Sequence, residues 1–177
     1  MEPFALRTER LTLRHLAPGD AEVMFALNAD PEVMRYLPDG PFPSVEEARR
    51  FLEGYQEVYR TEGFARWAVV EDATGEVAGW CGLRRLQDGD VDVGYRLLRS
   101  AWGRGIATEA GRASLVYGFR TLGLDRIVAR ADVGNAGSLR VLAKIGLRFE
   151  RNEMAGGHEC ALWTLSREQW EGGEGAP

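Results

Sequence analysis

Val91-Asp92-Val93-Gly94-Tyr95-Arg96-Leu97-Leu98, followed by Arg99-Ser100-Ala101 and then Trp102-Gly103-Arg104-Gly105-Ile106-Ala107-Thr108-Glu109, sets the architecture of this chain. The first eight residues read as a strand ending at Leu97 or Leu98. The glycine segment then opens a helix that runs from about Thr108 to Thr121 and stops at Gly123. The first N–H groups of a helix lack internal partners and lie at the positive end of its dipole. Glycines at that point let an anion approach the backbone, Arg104 adds charge from the side, and Ala107 keeps the passage narrow-walled. Arg126–Ala131 (RIVARA) reads as the next strand, so strand, helix and strand form a parallel unit with a crossover helix.

Several ligands suit such a turn, and a purely structural turn with small residues for close packing does too. The dinucleotide fingerprint requires a third glycine where Thr108 stands, and the ATP P-loop requires a Gly-Lys-Ser/Thr that is missing. A coenzyme A pyrophosphate needs only helix N–H groups, small residues and an adjacent strand.

Upstream, Leu11–Leu16 alternates apolar and polar residues as a half-buried strand does. Pro18-Gly19-Asp20 opens a helix carrying Val23, Met24 and Leu27. Ser44 with Glu47 fits a capping box, ahead of a helix with Ala48, Phe51, Leu52, Tyr55, Val58 and Tyr59 at helical spacing and Gly63 at its end. Strands follow around 66–71, 77–83 and 91–97, joined by Asp72-Ala73-Thr74-Gly75 and Gln87-Asp88-Gly89-Asp90, an antiparallel meander. Downstream, Asn135 caps a helix ending near Ile145, and strands near 147–151 and 159–165 flank Ala155-Gly156-Gly157. The fold class is mixed α/β (α+β): a mostly antiparallel sheet holding one parallel pair. Residues 1–170 read as one domain, and the Gly-rich acidic stretch 171–177 as a disordered tail.

The chain has 177 residues, a net charge of −5 and a pI near 5.2. That balance argues against a nucleic-acid binder and suits a cationic substrate. Cys81 and Cys160 have no metal-ligand spacing and read as free, half-buried thiols; His15 and His158 form no zinc cluster, so no metal is expected. With neither a signal peptide nor a membrane-spanning run, the expected location is cytoplasmic.

Val93-Gly94-Tyr95-Arg96-Leu97-Leu98 with Trp102–Ala110 resembles the central motif of the GNAT superfamily of N-acetyltransferases. Leu6–Arg14, and Asn135-Ala136-Gly137-Ser138 with Leu142, Lys144 and Ile145-Gly146-Leu147, narrow the resemblance to the RimJ/RimL-type branch, which acetylates ribosomal-protein N-termini. Leu147 stands where phenylalanine is commoner, and Trp102 is normal for the branch. The resemblance covers nearly all of the ordered chain.

It implies a sheet of about six or seven strands with about four flanking helices and a central parallel pair splayed apart. Acetyl-CoA would be the co-substrate and an amine, a protein N-terminus or a small molecule, the acceptor. Cofactor contacts would come from Leu97 and Leu98 through their backbone, from Gly103, Arg104, Gly105, Ile106, Ala107 and Thr108, and from Asn135. Asp92, where the branch often has Glu, is the first candidate base and Glu159 the second, though each also reads as a solvated acid at a strand end. Ser138 is the candidate proton donor, and also reads as a first-turn helix serine. Tyr95 reads as core, and Cys160 lacks a basic partner for a nucleophile's role. The acceptor pocket should involve Met34–Gly40 and the hairpin at Met154–His158. Homodimers are common in the branch. A non-catalytic acyl-CoA-binding module would keep the same glycine loop.

Overall fold

In the computed structural model, which describes residues 4–173, the chain runs β1 (Ala5–Arg7), β2 (Leu11–His15), α1 (Ala21–Ala29), α2 (Pro31–Met34), α3 (Val45–Glu62), β3 (Arg66–Glu71), β4 (Val77–Arg85) and β5 (Val91–Leu97). It continues through α4 (Ile106–Val116), β6 (Arg126–Asp132), α5 (Ala136–Lys144), β7 (Arg148–Ala155), β8 (His158–Ser166) and α6 (Arg167–Glu171). All eight strands form one sheet in the order β1-β2-β3-β4-β5-β6-β8-β7, antiparallel except for β5 beside β6. The mixed α/β architecture with its central parallel pair is therefore present.

Alternation along the strands divides the core. Trp67, Val69, Cys81, Leu83, Val93 and Leu97 pack toward α4 and α5, in one cluster with Ile106, Leu115, Leu142 and Ile145. Ala68 turns the other way, to a cluster with Leu16, Met24 and Leu27 of the α1 region and Ala48 and Leu52 of α3. Helices thus cover both faces, as such a sheet requires.

The meander falls on the expected residues, and Ser44 accepts from the Glu47 N–H at 3.2 Å. Glu47 does not complete the box; its carboxylate pairs with Arg50 instead. Three short elements are additions: β1, α2 and α6. Glu171 ends α6 rather than opening a tail, because Ser166 and Gln169 form a capping box that starts this helix. Residues 174–177 of the expected tail lie outside the described residues. α4 begins at Ile106, directly after Gly105, and Tyr117–Thr121 continues it as one wider π-type turn. Among the described residues no helix is long and apolar enough to cross a membrane.

Candidate active site

Gly103 and Gly105 both adopt left-handed backbone, at φ 71° and 79°, which a side chain would strain. Gly105 is the N-cap of α4 and provides no side-chain cap; the helix closes its first bond from Glu109 N–H to the Gly105 carbonyl at 3.0 Å. The N–H groups of Ile106, Ala107 and Thr108 precede that bond, so they have no intrahelical acceptor. Ile106 is buried and anchors the turn. The loop therefore has the geometry of an anion site.

The charge around it differs from expectation. Arg104 turns its guanidinium to Glu71, with Nη1 2.9 Å from Oε1, so its positive charge is already matched. Arg10, which the sequence did not single out, lies against Gly105 instead: a Cβ there would be 3.4 Å from the Arg10 Nη2. Arg10 donates to the Arg104 carbonyl at 3.0 Å and pairs with Glu109 at 2.7 Å. Glu109 also accepts from the Thr8 hydroxyl at 2.6 Å and the Arg10 N–H at 2.9 Å. Burial would raise its pKa, but Thr8 and Arg10 together bring it below the usual carboxylate value.

β5 and β6 meet at one bridge, Asp92 with Val128, whereas β4 and β5 pair from Gly79–Leu97 through to Arg85–Val91. The parallel strands touch at their starts and then part. Leu98 N–H donates to the Ala78 carbonyl at 2.9 Å. By alternation, 92, 94 and 96 also direct their backbone groups at β4, and Tyr95 and Leu97 direct theirs into the gap. Leu98 is engaged on the other side. Its N–H goes to Ala78 and its carbonyl accepts from Ala101 N–H at 2.9 Å, so neither group serves the gap. The Leu97 carbonyl accepts the Trp102 indole N–H at 2.9 Å, which gives Trp102 a role in shaping the loop.

On the α4/α5 side of the gap, the Asn135 Oδ1 caps α5 by accepting from Ser138 N–H at 3.0 Å. Its Nδ2 has no partner among the described residues. The Ser138 hydroxyl lies 3.0 Å from the Tyr95 hydroxyl, which also donates to the Ser138 carbonyl at 2.9 Å. Tyr95 is accordingly more than core filling: it spans from β5 to the first turn of α5. Burial raises its pKa, so the phenol stays protonated at neutral pH.

On the opposite face, both oxygens of Asp92 take the Arg66 guanidinium at 2.8 Å, with Arg84 at 3.7 Å. Arg66 is buried, donates also to the Asp92 carbonyl at 3.0 Å and to Gly82, and fills the space over Gly94, where a Cβ would stand 2.6 Å from its Nη2. Trp80 lies between Arg66 and Arg96, whose guanidinium carbons are 5.4 and 5.3 Å from its ring. Arg96 is held by Asn28 and by Asp39, the latter at 2.7 Å. Glu159 does not join Asp92. The Asp132–Cys160 pairing puts Cys160 on the Asp92 face, so its neighbour Glu159 projects from the other face, exposed and 3.1 Å from Asn152.

The Met34–Gly40 connection leans over the open end of the gap. Tyr36 reaches within 3.3 Å of a Cβ position on Gly134, and Pro38 within 3.5 Å of one on Gly156. Beside the hairpin, an open groove of about 660 Å3 is lined by 84–88, Ala155 and Gly156. Asp132, at the end of β6, accepts from Gly134 N–H at 2.8 Å and lies 3.9 Å from the His158 Nδ1. Burial, then Asp132 and Glu153, push the Cys160 thiol up, which disfavours a thiolate nucleophile. Arg66, Arg10 and Asp132 were not singled out by the sequence, and His158 only as an end of the expected acceptor hairpin. Arg66, Arg10 and His158 meet partners distant in the chain.

A model of the acetyltransferase (GNAT) domain matches residues 10–148. The chain is 35% identical over 147 residues to p20 of Bacillus licheniformis, an uncharacterized N-acetyltransferase, covering 82% of this chain and 83% of that one. It is 27% identical over 176 residues to YdaF of Bacillus subtilis (strain 168), provisionally named a ribosomal N-acetyltransferase, covering 93% and 95%. The crystal structure of a GNAT-family acetyltransferase from Bacillus anthracis superposes with a TM-score of 0.80 at 26% identity, covering 93% of this chain and 99% of that one. The parted strand pair and glycine-led helix are thus those of an acyltransferase that uses acetyl-CoA and an amine acceptor, and the chain belongs to the GNAT family of acetyltransferases.

Proposed function

We propose that this enzyme transfers acetyl directly from the acetyl-CoA thioester to the primary amine at the N-terminus of a peptide or protein, as the RimJ/RimL-type branch does. The observation that carries direct transfer is the gap between β5 and β6, which pair only at Asp92 and Val128, so that the Tyr95 backbone and the Leu97 N–H beyond that bridge are left without a strand partner. The acceptor class draws on the resemblance to YdaF and on the open groove beside the β7–β8 hairpin, which suits a chain better than an isolated small amine.

Acetyl-CoA supplies an activated acyl group. The backbone of Gly103–Thr108, with the N–H groups of Ile106, Ala107 and Thr108, holds its pyrophosphate. Leu97 N–H and the Tyr95 backbone guide the pantetheine arm, and Asn135 Nδ2 adds a donor from the other side. Such positioning removes much of the entropic barrier, and a backbone N–H near the carbonyl oxygen stabilises developing negative charge. Ser138, backed by the protonated Tyr95, is the proton donor to the departing sulfur. Asp92 fastens Arg66 across the strand starts rather than serving as the base.

Free thiol release tests this with a panel of N-terminal peptides and small amines, alongside calorimetry with acetyl-CoA and NAD. Acetyl-CoA should bind and NAD should not, with thiol released in the presence of peptides. Turnover confined to small amines would replace the acceptor assignment, and binding without release on any acceptor would overturn the transfer reading.

A further inference from the structure

Acids on the face away from α4 are for the most part neutralised by arginine. Asp92 is taken by Arg66 at 2.8 Å, Asp39 by Arg96 at 2.7 Å, and Glu153 by Arg130 at 2.6 Å and Arg151 at 2.9 Å. Asp132 differs. Its carboxylate meets no arginine among the described residues; its neighbours are the Gly134 N–H and the imidazole of His158. Asp132 pairs with Cys160 across β6 and β8, and His158 is two residues from Cys160, so all three project from one face. On that face Asp132 stands at the end of β6, where the gap is widest. Its side chain is 18% exposed and that of His158 49%, so the imidazole is open to an incoming molecule while the carboxylate behind it is largely shielded.

We propose that His158 is the general base that deprotonates the acceptor ammonium, and that Asp132 is the positioning residue that holds its ring. The inference rests on the amine-acetylation reading above and deepens it. An alkylammonium is mostly protonated at neutral pH and must lose a proton before it attacks. Imidazole is the side chain suited to that exchange. Asp132, 3.9 Å from Nδ1, is an electrostatic neighbour rather than a hydrogen-bond partner in this structure, and its negative charge favours the proton on that nitrogen, leaving the other as acceptor. With Asp132 near Nδ1, the accepting atom is Nε2.

The ammonium gives one proton to the His158 Nε2, the freed nitrogen forms the N–C bond to the acetyl carbonyl, and the C–S bond breaks. The second proton lost by that nitrogen is matched by the one the sulfur takes up. The imidazolium then returns its proton to solvent, so one proton is released per turnover. Arginine-bound Asp92 and Glu153 have their oxygens committed elsewhere, and Glu159 is on the wrong face.

Nitrogen NMR of the free protein tests the pair without turnover. The chain has only two histidines, and His15 is recognised by its ring-stacked site. The neutral His158 ring should carry its proton on Nδ1, and Asp132→Asn, which keeps an oxygen for Gly134, should shift it toward Nε2. A native ring protonated on Nε2, unaltered by Asp132→Asn, would overturn the pairing. In the second arm His158→Gln should lower kcat by about 100-fold, leave acetyl-CoA affinity unchanged and be partly rescued by added imidazole. Full activity in His158→Gln would overturn the base assignment. A native protein that binds acetyl-CoA and shows the paired tautomer yet acetylates no amine would sink the transfer reading and leave the pair in place.

Discussion

Asn135 has two separable functions, because its oxygen and its nitrogen face different partners. The oxygen caps α5, and removing such a cap costs about 1 kcal/mol. The nitrogen is free to bind the cofactor arm. Asn135→Ser should keep the cap and lose acetyl-CoA affinity, whereas Asn135→Ala should lose both, read by urea denaturation and calorimetry. Native affinity in Asn135→Ser would make this residue a cap alone. Asp92 is bound into a buried ion pair, and removing one partner of such a pair strands the other. Asp92→Ala should cost about 3–5 kcal/mol in urea denaturation, with Arg66→Met plus Asp92→Leu recovering much of it. A stable, slow Asp92→Ala enzyme would return Asp92 to candidacy as the base.

At the scale of elements, β2 to β5 were legible because alternation and turn residues are local signals. α4 was legible through its glycines, and α5 through Asn135 and Gly146. β1 and α6 were not: each is short, and β1 exists because it pairs with β2. The site divided in the same way. The loop backbone could be read from its glycines, but the pairing of the Leu98 backbone could not, because parity depends on the register with β4. Nor could the pairing of Arg104 with Glu71, 33 residues away in sequence, be read. Likewise, nothing local announces that Glu109 clips α4 to Thr8 and Arg10, 101 and 99 residues distant. Glu109→Gln should loosen that clip and lower Tm by several degrees. The lowered pKa of Glu109 gives stability that is full above the unfolded carboxylate value and lost as pH falls through the folded one, and Glu109→Gln should flatten that acid slope.

For the whole molecule, the sheet separates two tasks. Its α4/α5 face carries the glycine-led loop at the start of α4, Asn135 and the Tyr95–Ser138 strut, and its other face carries the arginine-bound acids and the Asp132–His158 pair. Stability also responds to pH at His15, away from both. His15 stacks 3.8 Å from the Tyr59 ring and 5.0 Å from Phe4, and burial lowers its pKa. The folded state then holds the neutral ring while the unfolded state takes up the proton first. Stability is complete above the unfolded value, near 6.5, and declines as pH falls through the folded value. Thermal unfolding between pH 7.5 and about 5 should show this decline, and His15→Phe should reduce it. An unchanged slope in that variant would assign the decline to other groups.

The central claim is that the backbone at the start of α4 holds the pyrophosphate of acetyl-CoA. Calorimetric titration of acetyl-CoA into the native protein and into Gly105→Val tests it most directly, because a side chain at φ 79° both strains the loop and stands where the anion would lie. The native protein should bind one equivalent, and the folded variant should bind at least about tenfold more weakly, a loss of about 1.4 kcal/mol. Equal affinity in the two folded proteins would contradict the claim.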